Sequence, residues 1–222
     1  MLIGGAIFAS AKIETPASFI YLTWESDGWA PISYSGKIIV VKDSVVKLTV
    51  QPLIYSAGAY LDPAQLNINW LLDEQLKNSG LGLTTFRFQV PSFPDVASHA
   101  IKVQVFKDSV LLGEKTLDIT VASPTVLLVP VETGIRIKNN SVEANSDITI
   151  EALPYFFSIK DPSQLNVYWF VDGEQTKSTA QDKLSFMVSH VSGQTQVKAL
   201  LERNDNVFVR QSGILMVGFS GL

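Results

Sequence analysis

The residue types that most often carry catalysis or bind metal are few in this sequence. It contains two histidines, His99 and His190, and no cysteine. The histidines lack the short spacing of a metal-binding pair, and cysteine-based zinc sites are excluded. We interpret both as loop histidines. No Gly-x-Ser-x-Gly elbow or glycine-rich phosphate loop occurs either. The sequence therefore predicts no catalytic residue, no metal ligand and no cofactor, and the chain is not expected to be an enzyme.

One polar cluster invites a metal interpretation. The stretch "RNDN" from Arg203 is similar to the calcium-binding junctions of cadherin-like repeats, where clustered oxygens bind a hard cation. Asn and Asp are also ordinary turn residues, and this stretch falls between two predicted strands. We therefore expect a hairpin turn here.

Aromatic residues offer a different kind of chemistry. Trp24, Trp29 and Tyr34 lie in "TWESDGWAPISYSG". Trp29 and Tyr34 are a candidate platform for stacking a glycan, as in carbohydrate-binding sandwiches. The alternative, which we favour, places Trp24 in the first strand and uses Trp29 and Tyr34 to close a kinked sheet edge around Pro31 and Gly36.

The elements that position these residues come in two copies. "DPAQLNINWLLDEQ" begins at Asp62, and "DPSQLNVYWFVDGEQ" begins at Asp161, 99 positions later. A repeat of this length matches one compact domain. Each Asp-Pro is expected to form a capped turn that starts a strand. A binding loop made by Asp62, Gln65 and Asn67 is the functional alternative.

Period-two alternation identifies the fold class. Leu66, Ile68, Trp70 and Leu72 alternate with less apolar neighbours, and the second copy repeats the pattern around Trp169. Turn signals recur between such segments, including Asp172-Gly173 and Ser79-Gly80, and no window shows a clear helical period. The sequence predicts an all-β protein with two tandem immunoglobulin-like β-sandwich domains, each with a central core tryptophan, Trp70 and Trp169.

Composition limits the partners. Charged residues make up 17% of the chain and the net charge is −4, with no run of Lys or Arg. A nucleic-acid partner or an anionic membrane surface would need a basic face. No segment approaches the ~20 apolar residues of a membrane span. The expected partner is a protein or another surface component, with a glycan as the alternative.

The opening "LTWESDGWAPISYSGKIIV", the two strand tryptophans and "ALPYFF" from Ala152 resemble tandem immunoglobulin-like exported proteins of candidate phyla radiation bacteria. The resemblance implies an extracytoplasmic β protein and brings no assigned activity. Residues 1–17 are interpreted either as the remnant of a truncated export signal ending in Ala9-Ser10-Ala11 or as a first strand. The hypothesis is a non-catalytic module of a cell-surface or secreted assembly; the alternative is a carbohydrate-binding sandwich.

The two domains are predicted to span residues 18–123 and 124–222, stacked end to end, because only three residues separate the flanking strands. This arrangement turns the aromatic loop of the second copy toward the loop 91–99 of the first. The expected interface therefore pairs at least one of three aromatic residues with two residues of that loop: Tyr155, Phe156 and Phe157 with Phe93 and Pro94. The alternative is that the aromatics plug the end of their own core.

Overall fold

A computed structural model describes residues 18–131, 141–143, 147–177, 180–188 and 193–220. Within these ranges the chain forms seventeen strands and two three-residue 3-10 turns, Pro63–Gln65 and Pro162–Gln164. None of the helical segments there is long and apolar enough to cross a membrane. The predicted all-β class is confirmed.

The first domain is a sandwich of two antiparallel sheets, with orders β1-β2-β7 and β6-β5-β8-β9. A short hairpin, β3-β4, interrupts the connection from β2 to β5. The strands of the first domain are β1 Phe19–Ser26, β2 Val45–Leu53, β3 Tyr55–Ser56, β4 Ala59–Tyr60, β5 Asn67–Leu72, β6 Gln75–Leu81, β7 Thr85–Gln89, β8 Ser98–Lys107 and β9 Val110–Thr120.

The second domain repeats this plan, with sheets β10-β12-β15 and β11-β17-β16-β13-β14. Its strands are β10 Thr125–Val131, β11 Ser141–Glu143, β12 Asp147–Tyr155, β13 Leu165–Val171, β14 Glu174–Thr176, β15 Lys183–Met187, β16 Gly193–Arg203 and β17 Asn206–Ser220. In both copies the chain crosses between sheets before the tryptophan strand, as in immunoglobulin-like sandwiches. The predicted pair of tandem sandwiches is confirmed.

Each core is built around its tryptophan. Trp70 and Trp169 are essentially fully buried, in separate hydrophobic clusters. Trp70 stacks on Phe86 of the opposite sheet with 5.6 Å between ring centroids, so its ring bridges the two layers. Its Nε1 donates to the Leu83 carbonyl at 2.8 Å. The Trp169 Nε1 has no hydrogen-bond partner among the residues that the structure describes.

The repeated Asp-Pro motif does form a capped turn before the tryptophan strand, as predicted. The Asp62 carboxylate accepts from the Ala64 backbone N–H at 2.9 Å, and Asp161 accepts from Ser163 at the same distance. In the second copy the Gln164 side chain closes the turn by accepting from the backbone of Lys160 and Asp161. Proline presets the backbone angle of the first turn residue in each case.

One predicted turn was misplaced. Ser79-Gly80 lies inside β6, and the chain reverses instead at Asp73 and Glu74, which have positive φ angles of 51° and 66°. The second copy turns at the corresponding point through Asp172-Gly173, as predicted. The period-two pattern is weak in β6 because nearly all its side chains are exposed, so the pattern gave no strand signal there.

Candidate functional site: the joint between the domains

The distinctive feature of the molecule is a segment of the first domain that reaches the second. This joint segment, residues 27–40, follows β1 and is anchored in the first domain at both ends. At its far end Val40 is buried. The next residue, Val41, is also buried and forms a parallel bridge with Ala122. Lys37 places its ammonium 3.5 Å from the centroid of the Trp24 ring, a cation–π contact that holds the segment against β1.

The middle of the joint segment pairs with the second domain through the backbone. The Trp29 N–H donates to the Phe157 carbonyl at 2.7 Å, and the Phe156 N–H donates to the Trp29 carbonyl at 2.6 Å. Phe157 is fully buried in the second core, and Trp29 packs against that same core. The joint segment therefore supplies both backbone pairing and apolar contact to the neighbouring domain.

A small aromatic cluster extends this contact. The Tyr34 ring lies edge-on to Phe156 and Tyr155, with centroids 5.1 and 6.1 Å away. The Tyr34 hydroxyl donates to the Lys37 carbonyl at 3.0 Å, which fixes the ring over the segment. A Cβ at Gly36 would collide with that ring, so glycine at this position lets the Tyr34 ring lie close to the backbone.

A charged network crosses the joint beside this cluster. Arg203, at the end of β16, donates from Nη1 to the Asp43 carboxylate and, at 2.9 Å, to the Ser158 hydroxyl. Its Nε and Nη2 donate to both carboxylate oxygens of Asp205 at 2.8 Å. The Asp43 side chain also accepts from Asn206 Nδ2 at 3.3 Å. Arg203 and Asp43 are only 14% and 15% exposed, so water screens their attraction weakly.

These hydrogen bonds shift the acid–base behaviour of the network. The hydrogen bond from Arg203 lowers the pKa of the Asp205 carboxyl. The same bond is the main reason that the pKa of Arg203 is raised, and burial opposes the shift. The guanidinium thus stays charged and bidentate to Asp205 while its remaining nitrogen reaches the first domain.

Between these two contact regions the domains leave a cleft of about 480 Å³. The first domain contributes Asp27, Trp29 and Gln89 to its walls, and the second contributes Lys160, Gln164 and Arg203. The cleft therefore contains acidic, basic and amide groups together with an indole, and its shape depends on both domains.

The predicted site residues are placed as follows. Of the three candidate interface aromatics, Tyr155 and Phe156 place their rings against Tyr34 of the joint segment, and Phe157 is fully buried in the core of its own domain. The Phe93 ring lies 6.3 Å from Phe208, across the same joint, and both rings are mostly exposed.

Trp29 and Tyr34, the candidate stacking platform, are placed at the joint. Trp29 packs on the second core and Tyr34 lies edge-on to two aromatic rings, so the two side chains do not present a shared open surface. The alternative of an edge closed within the first domain is also incomplete, because both residues contact the second domain. Trp29 does line the cleft. Trp24 lies in β1, as the alternative predicted.

His99 is not a loop histidine. It lies in β8, is 95% buried, and its Nδ1 is 2.8 Å from a carboxylate oxygen of Asp73. Its ring is edge-on to Phe88, and Nε2 has no partner among the residues described. Sequence alternation missed it because histidine is read as polar, although it occupies an inward position of the strand. His190 lies outside the described residues.

The "RNDN" stretch is a hairpin turn between β16 and β17, as expected. Its carboxylate, Asp205, binds a guanidinium. Within the described parts of the chain no group of three or more His, Cys, Asp or Glu side chains is placed to hold a metal ion.

Sequence reasoning missed Arg203 and Asp43 as joint residues. The two are 160 positions apart, and each is a common residue in a turn. Two weak signals were available. Arg203 is one of few arginines in the chain, and Asp43 lies in the segment between β1 and β2, which is slightly longer than the corresponding segment of the second copy.

Comparison with protein-family models gives no match, and comparison with curated proteins gives none either. Among solved structures, three N-terminal domains of the Highly Immunogenic Outer Capsid protein of bacteriophage RB49 align over 90% of this chain, at 16% identity and a TM-score of 0.43. This chain covers 59% of that one. Fibronectin(III)-like modules of Clostridium thermocellum CbhA align at 16% identity and a TM-score of 0.29, over 90% of this chain and 94% of theirs.

A chimeric titin Z1Z2 aligns at 11% identity and a TM-score of 0.33, over 91% of this chain and 97% of that one. The fold assignment itself rests on the sheet topology described above.

Proposed function

We propose that the chain is a non-catalytic, extracytoplasmic spacer and binding module that holds two immunoglobulin-like domains in a fixed relative orientation within a cell-surface or secreted assembly. The observation that carries this proposal is the joint. Two short backbone hydrogen bonds, an aromatic cluster and a shielded ion pair cross it. Tandem domains joined by a contact of this kind move as one body, whereas loosely linked domains reorient freely. The proposed domain boundary lies at Ser123-Pro124, between β9 and β10.

A non-catalytic role is supported by the surroundings of one acid–histidine pair among the described residues. Asp73 and His99 form an acid–histidine pair, but the second ring nitrogen of His99 is buried against the core. A general base must reach a proton on the substrate or on a nucleophile. A ring nitrogen without access to solvent cannot do so. The pair therefore has a structural role, in which Asp73 also accepts from the Ala100 N–H at 2.9 Å.

A protein-binding role is supported by exposed apolar side chains on the second domain. On the outer face of the second domain, Ile214 and Met216 of β17 are 59% and 44% exposed, and Lys198 separates Ile214 from Phe170 in the sheet register. Exposed apolar side chains on a flat sheet are typical of protein contacts.

The matching face of the first domain combines apolar and polar side chains. Leu81 and Leu111 are exposed in one row of the sheet, while Asn69 accepts from the Ser79 hydroxyl at 2.6 Å and Gln104 donates to Glu114 at 3.0 Å. We place the proposed protein contact on the second domain, at Ile214 and Met216. Replacing Ile214 with Asp should remove partner binding without lowering the melting temperature, while Gln104→Asp on the first domain should leave binding unchanged.

The extracytoplasmic location is supported by the apolar residues 1–11 that end in Ala9-Ser10-Ala11 and by the family resemblance of the sequence. Fusing residues 1–30 to a phosphatase that is active only outside the cytoplasm tests it. Phosphatase activity in whole bacteria is expected. An inactive fusion that accumulates inside the cell would contradict a working export signal in residues 1–30 and remove this support for the proposed location.

The fixed orientation is tested by distance measurement between spin labels. The chain has no cysteine, so Lys115→Cys and Gln175→Cys, both on exposed strand positions, give one label per domain. We expect one narrow distance distribution, as narrow as that of a control pair within the first domain, Lys77→Cys with Lys115→Cys.

Matched variants test which contacts at the joint keep the distance distribution between the domains narrow. Trp29→Ala and Arg203→Gln should each broaden the distance distribution between the domains. Tyr60→Ala, an exposed aromatic residue of β4 away from the joint, should not. A broad distribution in the unmodified chain would rule out the rigid module.

A further inference from the structure

The cleft between the domains is lined by side chains that keep some polar atoms without a hydrogen-bond partner among the described residues. One carboxylate oxygen of Asp27 accepts from the Val45 N–H at 2.7 Å, and the Gln89 Nε2 donates to the Asp43 carboxylate at 2.9 Å. The Gln164 side-chain oxygen is committed to the capped turn. What remains is a carboxylate oxygen of Asp27, the Gln89 carbonyl, the Gln164 NH₂ and the Lys160 ammonium. These four have no hydrogen-bond partner within the described ranges.

The charges lining the cleft cancel. Asp27 and Asp43 contribute two negative charges, and Lys160 and Arg203 contribute two positive ones. A strongly anionic ligand would face two carboxylates, and a cation would face an ammonium and a guanidinium. Neither is favoured. An apolar ligand would leave the polar groups without partners, at a cost in affinity.

The unused groups suit a neutral ligand with many hydroxyls. A hydroxyl both donates and accepts, so it can pair with the Gln164 NH₂ or Lys160 on one side and with Asp27 or the Gln89 carbonyl on the other. Trp29 adds an apolar wall for the carbon–hydrogen surface of a sugar ring. The volume of about 480 Å³ lies within the range of about 300–1,000 Å³ that is common for small-ligand sites.

We infer that this cleft is a binding site for a neutral oligosaccharide unit, with Asp27, Gln89, Lys160 and Gln164 as its hydrogen-bonding residues. The inference rests on the proposed function, because the cleft keeps its shape only if the joint is fixed. It also gives the repeated motif a second role. Gln164 of the second copy lines the cleft, whereas its counterpart in the first copy, Gln65, is exposed and does not line it.

The repeat supplies a matched pair of variants. Gln164→Glu keeps the size of the side chain and an oxygen that can cap the turn, but replaces the donating NH₂ with an accepting oxygen. Asp27→Asn keeps an oxygen for the Val45 N–H and replaces the free acceptor with a donor. Gln65→Glu makes the same chemical change as Gln164→Glu in the first copy, outside the cleft.

The experiment applies the whole chain to a glycan array that carries neutral and acidic oligosaccharides, then titrates the best neutral disaccharide by NMR. Binding in the range of about 0.1–1 mM is expected, as for a site with few contacts. The Trp29 indole and Gln164 side-chain amide signals should shift. Gln164→Glu and Asp27→Asn should each weaken binding at least about tenfold, and Gln65→Glu should leave it unchanged.

Three results would overturn the inference. They are an array without a neutral glycan among its hits, binding that survives both cleft substitutions, and shifts confined to Tyr55 and Tyr60 of the β3-β4 hairpin. Spin-label distances recorded without sugar separate this failure from a failure of the proposed function. A narrow distribution without sugar binding would reject the glycan site and keep the rigid module.

Discussion

Breaking the ion pair between Asp43 and Arg203 should measurably weaken the coupling between the domains. We consider a double-mutant cycle with Asp43→Asn and Arg203→Gln. Asp43 has a positive φ of 68°, a conformation that Asn tolerates better than most residues, so the first substitution removes charge with little backbone strain. Arg203→Gln removes the guanidinium and its bond to the Ser158 hydroxyl as well.

The magnitude follows from the burial of the pair. At ~4 Å and an effective dielectric constant of ~20, two unit charges attract by ~4 kcal/mol before desolvation is subtracted. The desolvation cost offsets much of this Coulomb attraction, because the two side chains are only 14% and 15% exposed. Arg203 also keeps Asp205 as a partner when Asp43 is neutralised, so no unpaired charge is left. We therefore expect a coupling free energy of about 1–2 kcal/mol.

An exposed pair of the first domain is the control. Glu25 and Lys47 lie 2.7 Å apart, with side chains 67% and 36% exposed. Exposed ion pairs contribute little, so the same cycle on Glu25→Gln and Lys47→Gln should give a coupling free energy clearly smaller than that of the joint pair.

The assay is urea unfolding, followed by NMR signals from each domain separately, because two domains need not unfold in one step. The joint substitutions should lower the free energy of unfolding of whichever domain unfolds first. A coupling energy for Asp43 and Arg203 no larger than that of the exposed control would refute the argument that this pair fastens the joint.

Four further outcomes are expected. In an acid titration, the stabilisation from the Asp205–Arg203 bond should be complete above about pH 3.9, the ordinary Asp pKa, and should disappear as the pH falls through the lowered pKa of Asp205; Asp205→Asn should make the acid limb of the stability curve shallower. Trp70→Phe should cost about 1 kcal/mol more than Trp169→Phe in urea unfolding, because only Trp70 loses a hydrogen bond, to the Leu83 carbonyl at 2.8 Å. Gly82→Ala should lower the melting temperature more than Gly173→Ala: both have positive φ, but only at Gly82 would a Cβ press on backbone atoms, 3.2 Å from the Ala64 Cα. Adding EDTA should leave the melting temperature unchanged, and a clear decrease would reveal a structural metal.

The fold was accessible from sequence because its determinants are local. The Asp-Pro turns and the alternation around Trp70 and Trp169 are each encoded within a few residues, and both signals occur in each copy of the repeat. β6 was not predicted because it lacks such a local signal. Both of its faces are largely exposed, so burial imposes no alternation on its side chains.

The candidate site was only partly accessible. The sequence singled out Tyr155, Phe156 and Phe157 as candidate interface residues, and Trp29 and Tyr34 as either a stacking platform or the closure of a sheet edge. Nothing local indicated that the two groups meet each other. Their contact depends on how a long excursion after β1 crosses the space between the domains. The same holds for Arg203 and Asp43, whose pairing is set by the angle at which the domains are stacked.

The most direct test of the fixed joint is a set of residual dipolar couplings from the backbone amides of the two domains in a weakly aligned sample. If the domains form one body, couplings from both fit a single alignment tensor with the interdomain orientation described here, and the tensor magnitudes determined for each domain alone are equal. Two tensors of clearly different magnitude, or a common tensor that requires a different orientation, would contradict the account.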